Sequence, residues 1–277
     1  MRWRQFLTPV ENMDGEEVRS YIDKHEAGTY TLLDVRQPSE YEKERIPGAI
    51  LIPLPELAER VKEIEHDKPV ITYCAIGGRS RAGAQILSGK GFDEVYNLKG
   101  GIKAWNGGTA YGPAEAGMTF LKGDETARDV IIIAYGMEEG LRGFYRELFD
   151  TINDKEASDL LRRLSEIEER HKERFFEKYL ELDSSVADRE VFEKEISPDI
   201  MEGGFTAKEF IEKNRETTKS VPDILSLAMM LEAQALDLYM RYSVSLKDKG
   251  TKRLLFDIAE EEKAHLVSLG RLMGENA

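Results

Sequence analysis

The sequence predicts two domains of different class: an α/β domain with a mostly parallel sheet and flanking helices, followed by an all-α four-helix bundle. With 277 residues, the chain exceeds the roughly 100 to 200 residues of a typical single domain. Short β-rich runs alternate with helical runs in its first part, whereas the second part consists of long runs poor in Gly and Pro. A stretch rich in Gly, Ala and Pro at 107–117 separates them. We therefore expect the α/β domain at 1–107, a linker at 108–123 and the helical domain at 124–277.

The first domain is predicted to alternate strands with helices. Strands are expected at 29–35, 68–74 and 94–100, and amphipathic helices at 54–64 and 80–91. Strands that alternate with helices in this way are typical of a parallel sheet covered by helices.

The second domain is predicted to contain four long helices, at 125–152, 154–182, 222–249 and 252–273. Ser220 is the expected N-cap of the third helix, with Pro222 in its first turn. A longer connection at 183–219, with a short helix expected at 206–215, separates the two helix pairs. The pattern is that of a four-helix bundle with one crossover.

Composition excludes several functions. The chain has 39 basic and 53 acidic side chains, a formal charge of -14, which argues against nucleic acid or an anionic membrane as a partner. Its single cysteine, Cys74, excludes an intramolecular disulfide and a four-cysteine zinc or iron centre, so a metal would need His and carboxylate ligands. Neither a secretory signal nor an apolar run of about 18 residues is present, and we expect a cytoplasmic protein.

The lone cysteine stands between a strand and a helix. Cys74 ends the apolar run VITYC and is followed by AIGGRS and the helix at 80–91. Gly77 and Gly78 permit a positive φ that turns backbone N–H groups toward the thiol, with Arg79 nearby. Such surroundings lower a thiol pKa and bind anions. The alternative is that Cys74 only packs as a small hydrophobic residue.

Five segments carry a family resemblance: LLDVR (32–36), EY (40–41), IPGAILIPL (46–54), CAIGGRS (74–80) and LKGGIKAW (98–105). In order and spacing, residues 1–107 resemble the rhodanese family of sulfurtransferases. The resemblance implies that Cys74, with Arg79, accepts a sulfane sulfur and holds it as a persulfide. It also implies that the cradle around this sulfur is formed by Ala75, Ile76, Gly77, Gly78 and Ser80.

Two details of the match bear on function. Four residues lie between Cys74 and Arg79, whereas the related phosphatases need five to fit phosphate, so the loop favours sulfur transfer. The family usually reads Gly-His before Ile-Pro-Gly-Ala, but this chain has Glu44-Arg45, a departure expected to affect the rim of the site. Asp34 and Arg36 are expected to brace the end of the first strand and the active face.

Glu and His recur three residues apart on two long helices, at Glu168–His171 and Glu262–His265. This spacing puts both side chains on one helix face, as a metal-ligand pair requires. The same spacing at Glu63–His66 is interpreted as a solvated helix end. A constant offset of 94 residues relates Glu138, Tyr145, Glu168 and His171 to Glu232, Tyr239, Glu262 and His265, which indicates internal duplication. The alternative is a solvated acidic face, but carboxylates on the apolar side of a bundle need a cation.

With one Glu from each of two helices and Glu-x-x-His from each of the other two, residues 124–277 resemble the rubrerythrin branch of the ferritin-like di-iron proteins. The resemblance implies two iron ions, with manganese or zinc as alternatives, bridged by Glu168 and Glu262. Glu138 and Glu232 would be terminal ligands, and His171 and His265 would each bind one metal. Tyr145 and Tyr239 would either hydrogen-bond these carboxylates or pack in the core. Rubrerythrins also carry a four-cysteine rubredoxin module, which this chain lacks, so an external electron donor is expected.

The combined prediction is a rhodanese-type sulfurtransferase joined to a di-iron domain with peroxide- or oxygen-related redox activity. Its expected partners are a small sulfane-sulfur donor, an external thiol acceptor, and a second copy of the chain in a homodimer. Coupling would follow if persulfide or the acceptor thiol reduced the metal site, or if that site oxidised the delivered sulfur. One alternative is a sulfur carrier whose bundle only binds iron or dimerises. Another is a redox-sensing interaction protein in which both sites are inactive.

Overall fold

The structure is a computed structural model and describes residues 10–113, 124–150, 152–183, 188–194, 196 and 220–275. The chain divides into two compact units. The first comprises Met1–Glu115 with Leu236–Arg241 and Phe256–Lys263, and the second comprises Ala116–Ala235, Tyr242–Leu255 and Ala264–Ala277. The short helix predicted at 206–215 lies outside the described residues.

The first unit contains a five-stranded parallel sheet. Its strands are β1 (Glu11–Met13), β2 (Thr31–Asp34), β3 (Ile50–Leu51), β4 (Val70–Tyr73) and β5 (Val95–Leu98), in the order β1-β5-β4-β2-β3. The predicted parallel sheet is therefore confirmed. Every residue of β2 and β4 is buried, as expected for strands covered on both faces. Asp34 pairs with Tyr73, so the residues that follow both strands meet at one edge of the sheet.

Four helices accompany this sheet: α1 (Gly15–Lys24), α2 (Pro38–Lys43), α3 (Leu57–Arg60) and α4 (Gly78–Gly89). Helix α1 begins where Asp14 and Glu17 form a capping box, and α2 begins with a proline in its first turn. The helix predicted at 54–64 is shorter in the structure, where α3 is followed by the 3-10 turn Val61–Glu63.

The first part of the segment predicted as a linker is paired with this unit. Ala110 and Arg45 form an antiparallel bridge, in which each N–H donates to the other residue's carbonyl at 2.7 and 2.9 Å. The N–H of Gly112 donates to the carbonyl of Glu42 at 2.7 Å. Residues 110–112 therefore extend the hydrogen bonding of the first unit.

Arg45 lies inside the first unit, so the expectation that the Glu44-Arg45 departure affects the rim of the site is wrong for Arg45, whereas Glu44 is exposed. The residue is 1% exposed, and its guanidinium lies over the Tyr41 ring at 4.6 Å. Its Nε and Nη2 donate to Asp237 Oδ2 at 3.0 and 2.7 Å, while Gly48 N–H donates to Asp237 Oδ1 at 3.0 Å. A buried guanidinium needs such a partner because its charge is otherwise costly to remove from water.

Described residues outside the α/β part are mostly helical. The helices are α5 (Ala127–Phe149), α6 (Lys155–Leu182), α7 (Arg189–Glu193), α8 (Val221–Ser245) and α9 (Lys249–Glu275). The Ser220 hydroxyl accepts from Asp223 N–H, so the predicted cap of α8 is present. One apolar cluster takes residues from all four long helices, among them Phe144, Leu161, Leu231 and Leu269. Across the described residues, none of the helices combines the length and apolarity needed to span a membrane.

Replacing Asp237 with Ala should lower the free energy of unfolding of the first unit by about 3 to 5 kcal/mol, because Arg45 then remains buried without its carboxylate. Urea denaturation followed by Trp105 fluorescence measures this loss, since Trp105 packs against the core of the unit. The exposed Asp93 provides the control, and Asp93→Ala should change stability by less than about 0.5 kcal/mol. Equal effects of the two substitutions would contradict the role given to Asp237.

Candidate functional site

Cys74 directly follows β4 and is 1% exposed. Helix α4 begins four residues later, with Gly77 as its N-cap at φ +92°. A Cβ at Gly77 would lie 3.1 Å from Gly100 N and 3.3 Å from Leu98 O. The loop therefore needs glycine at this position for both its backbone angle and its space, as the sequence pattern indicated.

Backbone N–H groups and one hydroxyl surround the thiol. Gly77 N–H donates to Cys74 Sγ at 3.1 Å, and Ser80 Oγ lies 3.5 Å from the same sulfur. Burial raises the pKa of the Cys74 thiol, but the Ser80 side chain and the N–H groups of Ser80, Ile76 and Gly77 favour the thiolate and lower the pKa overall. The position at a helix N-terminus acts in the same direction. Cys74 thus packs in the apolar cluster of the first unit, but its sulfur faces groups that favour a thiolate.

A chain of polar side chains, which runs from buried Ser80 and Asn97 to exposed Asn12, positions Ser80. The Ser80 hydroxyl shares its one proton between Asn97 Oδ1 at 2.7 Å and Cys74 Sγ at 3.5 Å, and Asn97 Nδ2 donates to Asn12 Oδ1 at 2.8 Å. Thr72 Oγ1 donates to the Ser80 carbonyl at 3.1 Å. The sequence reasoning missed Asn97 and Asn12 as supports of the loop. A polar amide within the short apolar strand β5 was the available signal, because buried amides need hydrogen-bond partners.

Arg79 is paired with a carboxylate on α2. Its Nη1 and Nη2 donate to the two oxygens of Glu40 at 2.7 and 2.6 Å. The hydrogen bonds from Arg79 lower the pKa of Glu40 to about 2, and Glu40, followed by the Cys74 thiolate, raises the pKa of Arg79. Glu40 belongs to the EY segment of the sequence match, but the sequence reasoning gave it no role. The remaining loop positions range from half-buried Ala75 to exposed Gly78, with Ile76 67% exposed.

Asp34 and Arg36 form a buried ion pair at the end of β2. Arg36 Nε and Nη2 donate to the Asp34 carboxylate at distances between 2.7 and 3.0 Å. Arg36 Nη2 also donates to the carbonyl of Glu44 at 2.6 Å. The pair therefore connects the end of β2 with the segment that follows α2.

A first group of predicted metal ligands lies within the second unit. Glu138 of α5 and Glu168 and His171 of α6 are all buried, and one candidate ligand atom from each lies within 4.8 Å of the others. His171 Nδ1 is 2.9 Å from Glu168 Oε2 and 3.5 Å from Glu138 Oε2. The neighbouring Lys172 is also buried, but its ammonium pairs with Glu139.

The duplicated residues form a second group of the same composition. Glu232 of α8 and Glu262 and His265 of α9 also place their candidate ligand atoms within 4.8 Å of one another. His265 Nδ1 lies 3.3 Å from Glu232 Oε2. The rings of His171 and His265 stack with centroids 4.0 Å apart and planes 7° apart. All six predicted ligands are therefore gathered in two groups whose imidazoles are in contact.

The predicted tyrosines and the third Glu-x-x-His match have different surroundings. Tyr145 is buried in the apolar cluster of the four long helices, and Tyr239 is buried on α8. His66 packs against Phe92 with ring centroids 4.3 Å apart. It belongs to neither of the groups of candidate metal ligands found among the described residues.

Comparison with known proteins assigns residues 16–107 to the family model described as Rhodanese-like domain. The Bacillus subtilis (strain 168) protein YqhL is 51% identical over 76 residues, which are 27% of this chain and 60% of that protein. The Bacillus subtilis (strain 168) protein YrkF, named as a candidate sulfur carrier, is 35% identical over 94 residues, or 34% of this chain and 50% of that protein. The chain thus spans only about half to three-fifths of the length of these two relatives.

Solved structures are similar to about a third of the chain. A rhodanese-related protein from Thermoplasma volcanium is 36% identical, with a TM-score of 0.31, over 34% of this chain and 89% of that one. A rhodanese with anions from E. coli is 34% identical, with a TM-score of 0.28, over 30% of this chain and 99% of that one.

Replacing Ser80 with Ala should raise the pKa of the Cys74 thiol, because burial remains while the hydroxyl that favours the thiolate is removed. At neutral pH the thiolate fraction falls, and alkylation by iodoacetamide slows. The pH profile of the alkylation rate measures the shift, which should move its midpoint upward. Ser88→Ala, about 12 Å further along α4, is the matched control and should leave the profile unchanged. A midpoint that moves downward or stays in place in Ser80→Ala would refute this role of the hydroxyl.

Proposed function

We propose that this chain, whose residues 16–107 form a rhodanese-like domain, transfers sulfane sulfur through a persulfide on Cys74. The observation that carries the proposal is a buried thiol with a lowered pKa, facing backbone N–H groups at the N-terminus of α4. The similarity to YrkF, which is named as a candidate sulfur carrier, supports the same reaction class.

The proposed reaction has two displacement steps. The Cys74 thiolate attacks the terminal sulfur of a donor, so that a new S–S bond forms at Cys74. The donor's S–S bond breaks, and its electron pair leaves with the remainder of the donor. An acceptor thiolate then attacks the outer sulfur of the persulfide and returns Cys74 to the thiolate. Because Cys74 is the sole cysteine of the chain, the acceptor is a thiol of another molecule.

The loop would stabilise the charged states of this cycle. Backbone N–H groups of Ile76 and Gly77 face the sulfur of Cys74, and they stabilise negative charge in addition to Arg79. A persulfide anion carries the same charge as the thiolate, one sulfur further into the loop. The Ser80 hydroxyl, held by Asn97, supplies another polar contact at this sulfur.

Treatment of the protein with a sulfane-sulfur donor should increase its mass by one sulfur atom, located on Cys74. The Cys74→Ser variant should show no such increase, because a hydroxyl of ordinary pKa is not a nucleophile under these conditions. Intact-protein and peptide mass spectrometry measure the adduct, and its loss on addition of a thiol acceptor tests the second step. If Cys74 of the wild-type protein stays unmodified after donor treatment, the proposed activity is refuted.

A second candidate function concerns the buried carboxylates and histidines, for which we propose a two-metal site. The donor set fits, because each group offers two carboxylates and one imidazole, ligands that iron, manganese and zinc accept. Glu138, Glu168, Glu232 and Glu262 are 1 to 4% exposed, and four buried negative charges are costly without cations. Two divalent cations supply an equal positive charge while both imidazoles stay neutral.

Each residue would then have a simple task. The four carboxylates would neutralise and hold the ions, and His171 and His265 would each present one neutral ring nitrogen. The stacked rings would fix each other's orientation. When bound, two iron ions would supply peroxide- or oxygen-related redox chemistry. Electrons would come from another molecule, because a rubredoxin-type centre needs four cysteines and the chain has one.

Purification without a metal-affinity column should yield about two metal ions per chain, measured by elemental analysis. Glu138→Gln keeps the side-chain shape but removes one ligand charge, so metal content should fall by half or more. The exposed Glu147 lies on the same helix, and Glu147→Gln should retain both ions. Wild-type protein that remains metal-free after anaerobic loading with ferrous or manganous ions would exclude the site.

A further inference from the structure

The solvent-facing side of the thiol loop (residues 74–80), here called its mouth, carries a cation paired with a carboxylate and an exposed apolar side chain. Arg79 is the basic residue of the loop, and both of its terminal nitrogens donate to Glu40. Bidentate pairing of this kind holds the guanidinium in one orientation. On the same loop, Ile76 is 67% exposed.

Glu40 stays charged whenever the thiol is able to react. Its pKa is about 2, so the carboxylate is ionised at every pH at which a thiolate exists. The pair with Arg79 is partly exposed, with side chains 37% and 32% accessible, and an approaching donor therefore meets both charges. Their sum is zero, and the loop has lost the cationic character that Arg79 alone would give it.

From this geometry we infer that Glu40 selects the sulfur donor by charge, so that the loop favours organic persulfides and discriminates against the thiosulfate dianion. The inference rests on the proposed sulfur transfer at Cys74 and specifies its substrate class. Glu40 acts through Arg79 and is a positioning residue rather than a catalytic one. Ile76 adds an apolar contact for the organic group of the donor.

The two donors differ in what leaves after the same attack. With thiosulfate, the Cys74 thiolate takes the outer sulfur, the S–S bond breaks, and sulfite leaves with the electron pair. With an ionised organic persulfide R–S–S⁻, the thiolate takes the outer sulfur, R–S⁻ leaves with the electron pair, and Cys74 carries an ionised persulfide. Neither reaction needs an oxidant or a reductant. Thiosulfate brings two negative charges to the mouth, and it is this approach that the Glu40 carboxylate opposes.

The test compares thiosulfate with cysteamine persulfide, which has no net charge when its amine is protonated and its persulfide ionised. Single-turnover rates of sulfur addition to Cys74 are measured by intact-protein mass spectrometry. In Glu40→Gln the carboxylate charge is lost, while the amide oxygen can still accept from Gln37 N–H at the start of α2. The ratio of the thiosulfate rate to the persulfide rate should rise about fivefold, the effect of one charge on a nearby dianion under near-bulk screening.

Glu42→Gln is the matched control, because Glu42 lies on the same helix, is exposed, and undergoes the same change of charge. Its donor ratio should stay within about twofold of wild type. The dependence of the rates on ionic strength is a second measurement, which a purely structural role of Glu40 would not change. The thiosulfate rate should fall with added salt in Glu40→Gln, but not in wild type.

The outcomes separate the inference from the proposed function. If both donors modify Cys74 but Glu40→Gln leaves their ratio unchanged, the selection by Glu40 is wrong and the sulfur transfer stands. If neither donor modifies wild-type Cys74, the proposed function fails and the inference fails with it. Should Glu40→Gln not fold, the wild-type salt dependence decides, because a thiosulfate rate that falls steeply with salt would show an unscreened Arg79 and overturn the inference.

Discussion

Burial of negative charge is the constraint on which both candidate sites depend. Cys74, whose pKa is lowered, and four glutamates are each no more than 4% exposed. A charge removed from water needs hydrogen bonds or opposite charge in its place. At Cys74 the replacement is mainly backbone N–H groups, whereas the glutamates are gathered around two imidazoles. Arg45 and Asp237 are a third case, in which a buried cation and a buried carboxylate satisfy each other.

The arrangement of backbone N–H groups around Cys74 depends on the sheet. Strand β5 lies beside β4, and this places the segment after β5 against the thiol loop. There Ile102 N–H donates to the Cys74 carbonyl at 2.8 Å, and a Cβ on Gly101 would lie 2.3 Å from that carbonyl oxygen. The parallel strand order thus places the segment after β5 against the loop, and this segment keeps the N–H groups in position around the thiol. A similar loop without this support would lose the fixed direction of its donors, and with it much of the effect on the thiol.

Local patterns made much of this fold predictable from the sequence. Apolar runs located β2, β4 and β5, the Ser220 cap located the start of α8, and the glycines indicated the turn after Cys74. Contacts between distant residues were not predictable, because no local pattern encodes them. Glu40 and Arg79 are 39 residues apart, and Arg45 and Asp237 are 192 apart. The edge strands β1 and β3 have three and two residues, too few to show an alternation of polar and apolar side chains.

Charge acts on an approaching donor over two ranges. The formal charge of -14 gives the whole molecule a field that opposes anions, but salt screens that field over about 8 Å at physiological ionic strength. The contact between Glu40 and Arg79 lies at the loop itself and is screened far less. The long-range field therefore lowers the encounter rate of an anion according to its charge alone, including anionic partners that do not react. Discrimination between donors of equal charge must arise at the loop, because only there do the positions of the charges and the shape of the sulfur compound meet fixed atoms.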